Sequence, residues 1–439
     1  MNLLTGKIKP LYLKYLGAAF GSACISSVYG LVDMAMVGKY HGPSGTAAMS
    51  VVMPIFNIIY SLGLFMGIGG SVLYSSEKGR RENGCYNEFF STALLGTAAL
   101  AAIAWTGIVF FGEPLLRLFG AEQTLLPLTK AYLFPIKIVI PVFVFNQMLA
   151  AFLRNDNAPG LATAAVLGGG IFNVFGDYFF VFAMDMGILG AGLATAAGAC
   201  ITLLIMLTHF FSKRCTLKFV SIHYLFIKVK GILTTGFSTF FVDLAVGIMT
   251  MLFNRQIVRY LGTDALSVYG LIVNISMFVQ CCAYSVGQAS QPIFSINYGA
   301  EHWGRMKETL KYALGTVAFF GIFWTTLVVL VPNGFVRIFM KPTEEVLQIA
   351  PSIMRCYGIS FLLLPLNIFS TYYFQSLMKP AASFVVSVGR GLVISGALIM
   401  LLPTVAKADF IWFSMPVTEI VIAVFVIYMM VRYTKRLAK

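Results

Sequence analysis

The sequence predicts an all-α integral membrane protein: twelve transmembrane helices in two pseudo-symmetric six-helix lobes with a central cleft. Three observations carry this reading. Of 439 residues, 59% are hydrophobic and 11% are charged, against about 25% charged in a soluble domain. Apolar segments of the length that crosses a bilayer, about 20 residues or more, recur along the whole chain. The second half also repeats the first at an offset of about 217–221 residues.

The expected spans are 11–38, 46–72, 88–112, 130–153, 160–183, 187–211, 231–260, 265–291, 308–332, 349–377, 380–403 and 409–433. Span one follows a basic start, KIKPLYLK, and is too long for the apolar core of a cleavable signal. Span two contains Pro54, Asn57 and Gly67-Ile-Gly-Gly70, whose small residues suit close helix packing. Pro135 and Pro141 in span four, like Pro292, Pro365 and Pro416 later, predict kinks that a bundle tolerates when neighbours satisfy the freed carbonyls. Between spans five and six, Gly187-Ile-Leu-Gly-Ala-Gly192 predicts a tight hairpin.

The repeat then sets the second half. AMSVVMPIFN at 48–57 aligns with ALSVYGLIVN at 265–274, and LRLF at 116–119 with VRIF at 336–339. Asn146 falls on Asn367, and the turn ending in Pro159 falls on that ending in Pro380. The basic stretch 213–230 has no counterpart and reads as a cytoplasmic linker between an N-terminal lobe, 1–212, and a C-terminal lobe, 231–439. Six spans per copy insert both copies the same way, an arrangement found in secondary transporters.

Net charge is +14, yet the basic residues alternate with the spans instead of forming a nucleic-acid patch. With both termini inside, 20 of the 31 Lys and Arg lie on inner segments, the positive-inside bias. The expected location is the plasma (inner) membrane, with the lipid bilayer as surroundings, no nucleic-acid partner and a monomeric chain. The seven cysteines are odd in number and without a CxxC pair, so they read as small packing residues. No cofactor is implied.

The chemistry concentrates in IFNVFGDYFFVF, 171–182. Asn173 and Asp177 are four residues apart and share a helix face. A carboxylate in so apolar a run is costly unless paired, protonated or holding a cation. Depth estimates at 1.5 Å per residue put Asp33 about 9–13 Å, Asp177 about 13 Å and Thr195 about 12 Å below the outer ends of spans one, five and six. Asn173 lies one turn deeper. Two carboxylates, a carboxamide and a hydroxyl suit a hard cation such as Na⁺ or a shared proton, and no thiophilic metal. The repeat places Thr250 to Phe253, Ile394, Leu398 and Pro416 where Asp33, Asn173, Asp177 and Thr195 stand, so the fold does not itself require these groups. Of the other membrane acids, Glu419 invites an ion pair with Arg390, and Asp243, near mid-span in helix seven, is a candidate to face the cleft. Asn57, Asn146, Asn274, Gln280 and Gln288 are candidates to line the cleft.

VYGLVDMAMVGKY around Asp33, FNVFGDYFFVF and GILGAGLATA together resemble the multidrug and toxic compound extrusion (MATE) family. So do LRNDNAP at 153–159 and GQASQPIFSINYGA at 287–300, and the resemblance covers essentially the whole chain. It implies a V-shaped, two-lobed antiporter exporting amphipathic, usually cationic organic compounds in exchange for H⁺ or Na⁺. It also implies a first-lobe cation site at Asp33, Asn173, Asp177 and Thr195, with Tyr29 as a residue of that pocket. Asp243 stands where one branch of the family has a helix-seven acid, but span ten, LLLPLNIFSTYYFQS, has none. The nearest rival is a lipid-linked saccharide flippase of the same broad superfamily. An enzyme is disfavoured: His41, His209, His223 and His302 are scattered, and neither HExxH nor GxSxG occurs.

Overall fold

The computed structural model describes residues 3–80, 85–339 and 343–436, apart from the side chains at 43, 243, 263, 339 and 436. Among the described residues, twelve helical spans are long and apolar enough to cross a membrane. A spanning segment must satisfy its backbone polar groups internally, and the helix does this along its own length. The helices are α1 (Ile8–His41), α2 (Pro43–Arg80), α3 (Tyr86–Leu118), α4 (Leu126–Asn155), α5 (Pro159–Asp177), α6 (Gly187–Leu207), α7 (Leu225–Tyr260), α8 (Gly262–Gly299) and α9 (Trp303–Leu330). Then come α10 (Pro332–Phe339), α11 (Glu344–Gly358), α12 (Leu364–Ser376), α13 (Pro380–Val388), α14 (Ile394–Val405) and α15 (Ser414–Arg436).

The chain forms two compact units, and two helices contribute to both. Gly17–Phe240 lies in the first, whereas Gly6–Leu16 joins Phe241–Lys439 in the second. The start of α1 therefore packs in the second unit, where Tyr12 donates to Thr316 at 3.0 Å and stacks on Tyr312. The start of α7 packs in the first, with the Phe240 ring 5.2 Å from Phe65.

Within the first unit, α2, α4 and α6 are the most enclosed helices. Their contact is close because small residues face it. A Cβ on Gly67 of α2 would sit 2.8 Å from the Met148 backbone of α4, and one on Gly192 of α6 would sit 2.4 Å from the Tyr132 carbonyl of α4. The stretch 213–230 is tied to the first turns of α3: the Lys218 and Val220 amides donate to Asn87 and Ser91, and Lys228 pairs with Glu88.

The repeated turns are visible in the backbone. Asn157 and Met378 both take positive φ, 61° and 55°, two residues ahead of the prolines that open α5 and α13. Span ten is broken by a 3₁₀ turn at Ile359–Leu362, after which Pro365 sits in the first turn of α12, where its missing N–H costs nothing. The hairpin between spans five and six is narrower than the glycine run suggests. Its turn uses Asp185 and Gly187 at positive φ, while Gly190 and Gly192 lie inside α6 against Phe180 and Pro135.

Candidate functional site

Four helices of the first unit bring a polar cluster together in an apolar interior. On α1, Asp33 is 5% exposed, and it accepts a 2.9 Å hydrogen bond from the Tyr132 hydroxyl of α4. The Thr195 hydroxyl of α6 donates to the same oxygen of Asp33 at 3.4 Å. Thr195 in turn accepts from the Asn173 amide of α5 at 3.2 Å. One directed chain thus runs from Asn173 through Thr195 to Asp33, with Tyr132 closing it from the other side.

Asp177 completes the cluster, fully buried one helical turn beyond Asn173 and close enough to Asp33 for their charges to interact. Helix α5 and α6 approach closely enough to allow this because Gly169, Gly176 and Gly198 line their contact; a Cβ on Gly176 would lie 3.0 Å from that of Ala194. The regular helix ends at Asp177, and the next turn, Tyr178–Ala183, widens to a π-helix, a distortion often found at functional sites.

What sets the cluster apart is what it leaves unpaired. Among the described residues no donor meets Asp33 Oδ1, Asn173 Oδ1, or either carboxylate oxygen of Asp177. A buried oxygen without a partner costs about 1–3 kcal/mol, more if charged. Four such oxygens in one cluster are an acceptor set suited to protons or a hard cation. Tyr29, half-buried one turn before Asp33, lies against Gly170 of α5.

Glu419 shows the opposite pattern. It is fully buried, but Arg390 Nε donates to one of its oxygens at 2.7 Å and Asn367 to the other at 2.6 Å. Asn367 also donates to the Glu419 carbonyl at 2.9 Å, and its repeat mate Asn146 likewise donates to the Ala199 carbonyl of α6 at 2.9 Å. Asn146 therefore bridges α4 and α6. Asn57 and Asn274, also repeat mates, are exposed; Gln280 and Gln288 are half-buried on α8. Asp243 belongs to the backbone of α7, and its side chain lies outside the described residues. Where α1 carries Asp33, the equivalent stretch of α7 offers Phe253, stacked on Tyr269 at 4.8 Å.

Sequence reasoning missed Tyr132, because a tyrosine in an apolar span carries no signal of its own. It also took His209 and Cys215 as unrelated. At the far end of α4, both approach Asp156: the ligand atoms of the three lie within 4.8 Å of one another. The Asp156 oxygens are already engaged there by Lys78 at 2.9 Å, His209 at 2.8 Å and Thr216. Burial pushes the Asp156 carboxyl up, but the His209 hydrogen bond, the Lys78 charge and the Thr216 bonds outweigh it and hold it at about 2.

A repeated bundle of membrane-spanning helices that buries acceptor oxygens without donors in one half is the architecture of a membrane transporter. The sequence profile of the MatE family matches residues 18–179 and 238–399, and the chain belongs to that family. Multidrug export protein MepA of Staphylococcus saprophyticus is 23% identical over 405 residues, covering 91% of this chain and 88% of that one. The Staphylococcus haemolyticus protein of the same name is 22% identical over 92% of this chain and 90% of its own. A solved outward-facing multidrug resistance MATE family transporter of the MOP superfamily superposes with a TM-score of 0.91 at 20% identity, covering 100% of this chain and 98% of that one. A Pyrococcus furiosus MOP superfamily transporter, described as having a binding pocket of reverse polarity, superposes at 0.88 and 20% identity, with the same coverage. At such identities the structural likeness concerns the fold.

Proposed function

We propose that the chain is a cation-coupled antiporter of the plasma (inner) membrane, with both termini cytoplasmic, exporting amphipathic, cationic organic compounds by alternating access. The coupling ion, H⁺ or Na⁺, binds at Asp33, Asn173, Asp177 and Thr195, with Tyr132 orienting Asp33. The observation that carries this reading is the pair of unpartnered, fully buried carboxylate oxygens of Asp177 beside Asp33. The relatives named multidrug export protein support the class of substrate.

The cycle follows from electrostatics. Two buried carboxylates of one cluster repel each other and lack solvation when no cation is bound, so the empty site favours an arrangement that opens them to water. Loading a proton or Na⁺ from outside neutralises them and lets α1 pack against α5 and α6. Substrate release outward and cation release inward then alternate. Tyr29, Asn57, Asp243, Asn274, Gln280 and Gln288 are the proposed substrate-facing groups, and Arg390 with Glu419 a structural pair.

The test is efflux of a fluorescent lipophilic cation from proteoliposomes under an imposed pH or Na⁺ gradient, for wild type and Asp177→Asn. The expected outcome is gradient-driven transport that disappears in the folded variant, with the effective gradient naming the ion. Transport surviving in Asp177→Asn sinks the first-lobe site and points to Asp243. Transport of no cation by wild type favours the lipid-linked saccharide flippase.

A further inference from the structure

We infer that the groove between α3 and α4 around Lys137 is a binding site for an anionic phospholipid. The groove, about 560 Å³, is lined by Trp105, Val109, Phe134, Lys137, Ile138 and Pro141. Its walls are apolar apart from one ammonium. The volume is that of a ligand pocket, and Phe134 and Ile138 are 62% and 67% exposed, so it opens to the surroundings of the bundle.

The position of the charge is what needs explaining. Lys137 lies about 16 Å along α4 from its first residue, Leu126. Its ammonium rests against α3 at Gly112, where a Cβ would approach Nζ to 2.9 Å. Gly112 is itself about 9 Å short of the end of α3. The side chain thus leans toward the nearer end of the helices and sets its charge level with Gly112, the last residue of the expected third span, where the apolar core gives way to the headgroup layer. A charge at that level takes its partner from the protein or from a lipid phosphate. The neighbouring acid does not supply one: Glu113 gives one oxygen to Arg117, at 2.9 Å, and the other to Lys130. Among the described residues no acceptor engages the Lys137 ammonium.

The backbone makes room for a ligand at this spot. Phe111 leaves helical geometry, with φ −112° and ψ 16°, and Pro114 follows it, so α3 kinks beside Gly112. Arg117, Lys130 and Lys137 set against Glu113 and Glu122 leave a net charge of +1 on this corner. An unpaired cation recessed between apolar walls complements a phosphate carrying acyl chains: the phosphate meets Lys137 while the chains lie along Trp105, Phe134 and Ile138. A zwitterionic headgroup would bring its own cation against the same positive corner.

The test is native mass spectrometry of the delipidated full-length protein titrated with phosphatidylglycerol, phosphatidylcholine or inorganic phosphate. One phosphatidylglycerol is expected to bind, about fivefold or more weaker in Lys137→Gln and restored in Lys137→Arg. Val109→Trp, which fills the groove and keeps the cation, is expected to lose the same lipid. Equal phosphatidylglycerol binding by wild type and Lys137→Gln overturns the proposal, as does equal affinity for phosphatidylcholine at this site. Inorganic phosphate binding as tightly as the lipid overturns it in favour of a free-anion site. If Lys137→Gln does not fold, the comparison rests on Val109→Trp, and lipid retained in that variant overturns the proposal.

Discussion

At the scale of single residues, the two buried acid sites differ in how far their oxygens are satisfied. Both Glu419 oxygens have donors, whereas neither Asp177 oxygen has one among the described residues. Removing one partner of a buried pair strands a charge, at about 3–5 kcal/mol. Arg390→Met is therefore expected to lower the melting temperature in detergent sharply, and Arg390→Met with Glu419→Leu to recover most of the loss. Asp177→Asn, which removes no protein hydrogen bond, is expected to keep the wild-type melting temperature while losing coupling. Tyr132→Phe removes a hydrogen bond that Asp33 accepts, about 1–3 kcal/mol, and should slow gradient-driven efflux measured per folded protein. Asp156 lies outside the spans and titrates in reach of experiment. Its folded value, about 2, is below the ordinary 3.8, so its contribution, on the order of 2 kcal/mol, is present above about pH 4 and lost as pH falls toward 2. The stability gap between wild type and Asp156→Asn, followed by thermal unfolding, should narrow over that window.

At the scale of elements, helix contacts depend on residues too small to be seen in a hydropathy plot. Gly67 and Gly70 let α2 meet α3 and α4, and a side chain there must move backbone. Gly67→Val is expected to cost about 1–3 kcal/mol by overpacking, read as a lower melting temperature. Gly17→Val is the control, because a Cβ at Gly17 meets nothing within 4 Å. The end of α1 is held to the hairpin of spans five and six by Tyr40 donating to Asp185 at 2.6 Å and by the Ile188 amide donating to His41 at 3.0 Å. These contacts join the helix that carries Asp33 to the pair that carries Asp177 and Thr195. The glycine run announced a hairpin there, but only Gly187 serves the turn; the other glycines serve packing, a distinction set by which face of α6 meets α4 and the turn before it.

At the scale of the whole molecule, charge and repetition were the legible signals. Twelve spans among the described residues follow from hydropathy, because a backbone in lipid must satisfy its polar groups internally and a helix does so along its own length. The proposed orientation, with both termini inside, predicts that a reporter fused at the C-terminus fluoresces or reacts as a cytoplasmic one; an exported signal from that fusion would reverse every inside and outside assignment. The repeat located equivalent turns, down to the paired positive φ of Asn157 and Met378. It did not reveal that the compact units divide α1 and α7 partway along their length, since that division depends on packing between residues distant in the chain.

By itself, then, the sequence determined that the chain spans a membrane in a doubled six-helix pattern, and that Asp33, Asn173, Asp177 and Thr195 are the anomalous groups of its first half. Those features are legible because each is a local departure in polarity, and transfer between water and lipid is a local property. Only the tertiary structure decided which polar atoms find partners: that Tyr132 serves Asp33, that Arg390 and Asn367 satisfy Glu419, that Asn146 bridges two helices, and that Asp177 and Lys137 have no partner among the described residues. Hydrogen bonds act over about 3 Å, and the residues that make them here lie tens of positions apart in the chain.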